Sequence, residues 1–261
     1  MKFNFSQPIT AYELLAIVLA IISLLVPIVK WIYNKWIKQL KFNFLPSGTI
    51  SLYQNKSGSY LSFGGVYEAK NKSAIVKEIN ANVIRETDNA TLMLTWSTFS
   101  SPVYRQVAGN YESSFETAHP FKVDIDSLEP VFIEFASLRE NINEKIEMIL
   151  KPVYEASETI LSTPNIILRQ ADDLVRNSNE AKKALISLND DFFWKPGTYQ
   201  LKMITKYNDS QMCKSYEFIL SSDESEKLRK NIENLLVIPV ANRFRMNLIF
   251  NSVKKTFTEK I

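Results

Sequence analysis

From Leu14 to Val29 the chain is aliphatic except at Ser23 and Pro27, and with Trp31, Ile32 and Tyr33 the run reaches the length that crosses a bilayer core. Beyond Lys41 the period falls towards two, in short stretches separated by turn residues. Between about residues 138 and 192 apolar positions recur every three or four, and alternation returns at Tyr199. One membrane helix, a β-rich body and a helical insertion within that body are therefore expected.

The helix has a start signal. Thr10 and Glu13 are spaced as a capping box, in which each side chain satisfies a backbone N–H left free in the first turn. Trp31, Tyr33 and Trp36 supply the aromatic belt of an interface, with Lys35 and Lys38 beside them as basic anchors. Lys30, Lys35, Lys38 and Lys41 follow the run, whereas Lys2 alone precedes it. The positive-inside rule then places the N-terminus outside the inner (plasma) membrane and the large body in the cytoplasm. A cleaved signal peptide would carry its basic end first, a shorter apolar core and small residues at the cut, and here bulky aromatics follow.

A step of about 100° per residue sets Glu13, Ala16, Ala20, Ser23, Pro27, Lys30 and Asn34 on one stripe, and Leu, Ile and Val fill the remaining circumference. Lipid does not distinguish the two faces by the hydrophobic effect, so the small and polar stripe marks the approach of another helix or of water. Two readings follow. Copies pack closely through alanine and serine, or they surround an axis with a Glu13 ring as a cation filter and Ser23 wetting the middle. Either way the chain is expected to form a homo-oligomer in the bilayer.

The body reads as strands at Phe42–Leu45, Thr49–Tyr53, Ser59–Ala69, Ala74–Glu86, Leu92–Ser97 and Val131–Phe135, followed by a hairpin of Tyr199–Tyr207 and Met212–Leu220 turning at Asn208–Ser210. The class is mainly β with α, and the spacing suggests an immunoglobulin-like antiparallel β-sandwich. Pro152 and Pro164 divide the insertion, and Gly64 with Gly65 suggests a bulge or bend. From Ser222 the chain reads as a helical tail that Pro239 interrupts. Its last part, Val240–Phe257, carries Arg243, Arg245, Lys254 and Lys255, and would pack on the body or a neighbouring subunit, or lie on the inner leaflet. The organisation is thus an outer tail 1–9, helix and basic extension 10–41, sensing domain 42–221 with its insertion about 138–192, and tail 222–261.

Composition adds exclusions. Hydrophobic residues are 46% and charged ones 23%, ordinary for a globular protein, and a net charge of +3 does not argue for nucleic acid by itself. Cys213 is the single cysteine, so no intramolecular disulfide forms. The glycosylation triplets at Asn55, Asn71, Asn89 and Asn208 mean nothing for a body facing the cytoplasm. His119 is the single histidine, in a loop before Pro120, and with one cysteine it supplies neither a catalytic triad nor a closed zinc site. No phosphate loop occurs, and the pairs Asp172/Asp173 and Asp190/Asp191 read as solvated surface. No enzyme, cofactor or metal is expected. Recognition remains, and Tyr104/Arg105, Trp194/Lys195 and Tyr199/Lys202 pair an aromatic ring with a cation, as needed to stack a base and hold a phosphate. The same pairs also suit basic stems lying over apolar surface.

One short span with a polar stripe, then a cytoplasmic β-rich body without catalytic residues, resembles the membrane effectors of prokaryotic antiphage systems of the Hailong and cyclic-oligonucleotide signalling types. The resemblance lies in the layout of the chain and transfers no residue. It implies an oligomeric membrane effector whose body senses a nucleotide-like ligand and controls an ion-conducting or membrane-disrupting bundle, with a partner encoded nearby. The alternative is a tethered adaptor whose sandwich binds protein partners.

Overall fold

A computed structural model of the chain describes residues 10–33, 38–56, 58–107, 110–137 and 142–260, with the side chains of 100–115 and 142–143 excepted. Helix α1, Ala11–Ile32, starts where the capping box places it. The Thr10 N–H and hydroxyl donate to Glu13 Oε2 at 2.8 and 2.9 Å, and the Glu13 N–H donates to Thr10 Oγ1 at 3.4 Å. Its 22 residues span about 33 Å at 1.5 Å each, enough for a bilayer core. None of its most apolar stretch is buried within the chain, and by length and composition the helix could cross a membrane.

Among the described residues the body is built on eleven strands: β1 Lys41–Asn55, β2 Gly58–Lys70, β3 Ala74–Arg85, β4 Ala90–Val107, β5 Asn110–Thr117, β6 Phe121–Val123, β7 Ser127–Ser137, β8 Gly197–Tyr207, β9 Ser210–Leu220, β10 Ser252–Thr256 and β11 Thr258–Lys260. All belong to one antiparallel sheet, ordered β10-β1-β2-β7-β4-β3-β8-β9-β11, with β5 on β4 and β6 on β3. The expected immunoglobulin-like sandwich is not confirmed. Instead the sheet is nearly closed, because β10 and β11 are one extended run broken only at Phe257: its first half pairs with β1 and its second half with β9. Both edges that would otherwise present bare N–H and C=O groups are thereby covered. The ring of Phe257 lies 5.2 Å from Phe63 and 4.8 Å from Tyr216, plugging the join. Outside it, Lys214 meets Glu259 at 2.5 Å, Lys260 meets Glu217, and Lys255 meets Glu224 at 2.8 Å.

Alternation sets the interior. Leu201, Met203 and Thr205 of β8 point inward with Leu61, Phe63 and Tyr67 of β2, and a 2.8 Å hydrogen bond between the Tyr67 and Thr205 hydroxyls joins the two strands. Phe42–Leu45 and Thr49–Tyr53, two strands by pattern, are one strand whose register shifts between Pro46 and Ile50, with Gly48 at φ 85 inside the irregularity. The bulge or bend expected at Gly64 and Gly65 lies on the partner strand: β2 keeps its register against β7 through both, while the shift of β1 between Pro46 and Ile50 falls opposite Gly64. Gly65 leaves room for Phe44, whose ring occupies the place a Cβ would take.

Helices α2 Ile142–Leu161, α3 Leu168–Asn177 and α4 Asn179–Asp190 form the insertion between β7 and β8, while α5 Ser222–Leu236 and α6 Ile238–Phe244 follow β9. Pro152 lies inside α2 and does not divide it, whereas Pro164 falls in the turn before α3. The helices pack on one another and on β1 and β2, burying Val153, Val175, Leu188, Leu228 and Ile232. The helical tail holds only to Phe244. Arg245 takes a left-handed conformation, φ 53, that ends α6, and beyond residue 251 Val253 alternates into the core as a strand. The cluster Met246, Leu248, Ile249 and Phe250 suggests a helix because apolar residues crowd there, yet Ile249 is 75% exposed.

At the junction of sheet and helices Arg85 is buried, its guanidinium paired with Asp88 through two bonds of 2.8 and 2.7 Å, donating to the Phe193 carbonyl, and 5.4 Å from the Phe193 ring. First the Arg85 bonds and then the Ala90 N–H hold the Asp88 carboxyl down at about 2. Its value in the folded chain lies below that of the unfolded chain, so its contribution is complete above about pH 4 and is lost as pH falls through about 2. Asp88→Asn is expected to flatten the fall of unfolding stability between those limits in urea titrations. Unchanged acid sensitivity would show that the pair contributes nothing.

Candidate functional site

Two features outside the hydrophobic core carry polar groups in a defined arrangement: the stripe on α1 and a cleft on the body. In α1 the stripe contains Pro27, the proline inside the helix. Pro27 lacks an N–H, so the Ser23 carbonyl four residues earlier is deprived of its regular donor. The Ser23 hydroxyl donates back to the Leu19 carbonyl. A carbonyl without its donor, a hydroxyl, and the small side chains of Ala16 and Ala20 therefore share one side of the helix. Glu13 has a local task as well, because its carboxylate closes the cap, and Lys30 stands in the last turn, where a cation suits the helix dipole. Trp31 and Tyr33 are both exposed at the helix end. Lys38 follows, its N–H donating to the Tyr33 carbonyl at 2.8 Å. Asn34, Lys35 and Trp36 lie outside the described residues, as does the tail 1–9.

The three aromatic and basic pairs have different fates. Trp194 and Tyr199 are each fully buried. The Trp194 indole N–H donates to the Tyr53 carbonyl at 3.2 Å and its own carbonyl accepts from Ser225 at 2.7 Å. The Tyr199 hydroxyl lies against the Phe193 and Lys195 carbonyls, and its ring stacks on Phe218 at 5.1 Å. Neither ring offers a face to a ligand, while Lys195 and Lys202 are exposed. Tyr199 and Lys202 are three positions apart on one strand and so project to opposite faces. Tyr104 and Arg105 belong to the outer part of β4, opposite Ser113 and Glu112 of β5; their side chains are outside those described.

The cleft carries no signal in the sequence pattern. It holds about 890 Å³ between the outer face of β1, β2 and β7 and the chain from α6 to β10. Ser51, Tyr53, Ser62 and Glu134 form one wall; Ile238, Asn242, Met246, Leu248 and Phe250 form the other, with Lys56 and Asn55 at one end. Tyr53 is stacked on Tyr60, centroids 5.0 Å apart and planes at 10°. Burial, and then the facing Glu134 carboxylate, push the Tyr53 phenol well above its ordinary value, so it stays a neutral donor beside that carboxylate. The opposite wall is fixed from beneath by α5. The Asn234 amide donates to the Ile249 carbonyl at 2.9 Å, and the fully buried Asn231 donates to the Gln54 and Asn251 carbonyls at 3.0 and 2.8 Å while accepting the Asn251 N–H at 2.7 Å.

Among the described residues no group of three or more His, Cys, Asp or Glu side chains is placed to hold a metal. Asp172 is tied to Arg176 at 2.8 Å and Asp191 to Lys145 at 2.5 Å. His119 is exposed, with Nδ1 3.0 Å from the Thr117 carbonyl. No protein-family model matches the chain, and no curated protein matches it in sequence.

Proposed function

We propose that the chain is a non-enzymatic, oligomeric membrane effector. Copies of α1 associate through the stripe in the inner membrane, with the N-terminus outside, and the cytoplasmic body senses a nucleotide-like ligand and sets whether the bundle passes ions. The layout shared with antiphage effectors supports the defence setting and a partner encoded nearby. The observation that carries the reading is the polar interruption on one side of an otherwise aliphatic helix. In hydrocarbon the Ser23 carbonyl released by Pro27 requires a donor, and a neighbouring helix or a water-filled axis supplies one. A ligand controls such a bundle only through different affinity for its two arrangements, and the cleft gives the body a place for that difference.

Membrane potential and viability on expression of the full chain, alone and with its genomic neighbours, test this together with crosslinking in the membrane. Ser23→Leu is expected to cut both depolarisation and crosslinked species by about tenfold or more, because a bulky side chain blocks close approach. Glu13→Gln keeps a side-chain acceptor for the cap and removes only the charge, so crosslinking should persist while cation current falls. A strictly monomeric chain, or a wild type that never depolarises cells under any of these conditions, overturns the reading. The tethered adaptor has one observation in its favour, the exposed Met246, Ile249 and Phe250 on a fixed segment. An adaptor would be indifferent to both substitutions.

A further inference from the structure

Resting on the reading that the body senses a nucleotide-like ligand, we propose that the cleft between β1, β2, β7 and the segment 246–250 binds a guanine nucleotide, with the base edge on Glu134 and the phosphate towards Lys56. The space, about 890 Å³, lies within the range of pockets that enclose molecules of this size. Its walls differ in kind. Met246, Leu248 and Phe250 offer an apolar surface to the face of a flat heterocycle, and the sheet wall opposite offers Glu134 with Tyr53.

The carboxylate decides which base. An ionised carboxylate only accepts hydrogen bonds, and two parallel N–H donors match its two oxygens best. Guanine carries such a pair on one edge, the ring N1–H and the exocyclic amino group. Adenine sets a ring acceptor beside its amino group, and uracil flanks its N3–H with two carbonyl oxygens, so each turns a lone pair towards Glu134. The Tyr53 hydroxyl faces that carboxylate and, stacked on Tyr60, holds its orientation. Asn231 and Asn234 fix the carbonyls of residues 249 and 251, so the apolar wall is in place before the base arrives. Lys56 is the cation among the lining residues and is exposed at the strand end, where a phosphate remains in water.

Calorimetric titration of the full chain in detergent micelles with GMP, AMP, UMP and guanosine tests the assignment. GMP is expected to bind at least about tenfold more tightly than AMP or UMP, since a lone pair turned towards the half-buried Glu134 carboxylate finds no donor. Glu134→Gln should remove most of that preference with an unchanged melting temperature, and Tyr53→Phe should weaken GMP without changing the order of the bases. Lys56→Gln should bring GMP down to the level of guanosine. Equal affinity for the three nucleotides, or a GMP isotherm untouched by Glu134→Gln, overturns the site. If GMP fails while Ser23→Leu still abolishes depolarisation, the cleft assignment falls and the membrane reading stands. GMP binding that depends on Glu134, in a chain whose stripe variants behave as wild type, upholds the cleft and overturns the membrane reading.

Discussion

Gly65→Ala is expected to destabilise the body by about 3 kcal/mol, near the upper end of overpacking costs. A Cβ at this position would lie 2.3 Å from Phe44 Cζ and 2.6 Å from the Leu45 carbonyl oxygen. The ring has no easy retreat, being fully buried with its centroid 5.4 Å from Phe63 and 4.7 Å from Tyr67, and the carbonyl belongs to the paired backbone of β1. Urea unfolding followed by fluorescence measures the loss, and Phe44→Leu in the same chain should restore part of it, a coupling that two unrelated lesions would lack. Gly64→Ala is the control. Its Cβ meets Phe132 at 3.0 Å, but Phe132 is a 39% exposed side chain on the outer face and is free to turn aside. If the two alanine variants unfold at the same urea concentration, the close fit of Phe44 under Gly65 is not a constraint on the fold.

Asn231→Leu is expected to cost about 4 kcal/mol, because it strands three main-chain groups, one buried and two half-buried, at about 1–3 kcal/mol each, less what leucine regains by burial. Those groups are the Gln54 and Asn251 carbonyls and the Asn251 N–H, contributed by β1 and by the residue preceding β10. One amide thus ties α5 to the strand that starts the sheet and to the segment that leads into its closure. Unfolding curves should show the loss, and hydrogen exchange should speed up at Asn251 and Ser252 before it does in β8. A loss below about 1 kcal/mol would mean that water replaces the amide at little cost.

The sequence makes α1 legible in detail, including its cap, because Thr10 and Glu13 act locally and aliphatic length is read directly. The β8–β9 hairpin is equally clear: Tyr199, Leu201 and Met203 alternate with Gln200 and Lys202, and Asn208 turns at φ 45. What fails are inferences that need long-range pairing. Nothing in Ser252–Lys260 announces that it will pair with β1 on one side and β9 on the other, since the strand is short and its apolar neighbours Met246 to Phe250 imitate a helical face. Trp194 and Tyr199 mislead for a related reason. An aromatic beside a lysine looks the same whether the ring is core and the lysine surface, or both flank a ligand, and only the register of β8 and the docking of α5 separate the cases. Tyr53 and Glu134 lie beyond reach, being 81 positions apart and brought together by β2 standing between β1 and β7.

The split C-terminal run has a mechanical consequence. A tether pulling on residue 260 would load β11 first, and its three residue pairs with β9 would part before the five that hold β10 to β1. Peeling would then stall at Phe257, whose ring must leave Phe63 and Tyr216 before the rest can follow. Once it does, two bare strand borders face water on the same molecule, each able to recruit the loosened end of a sister chain.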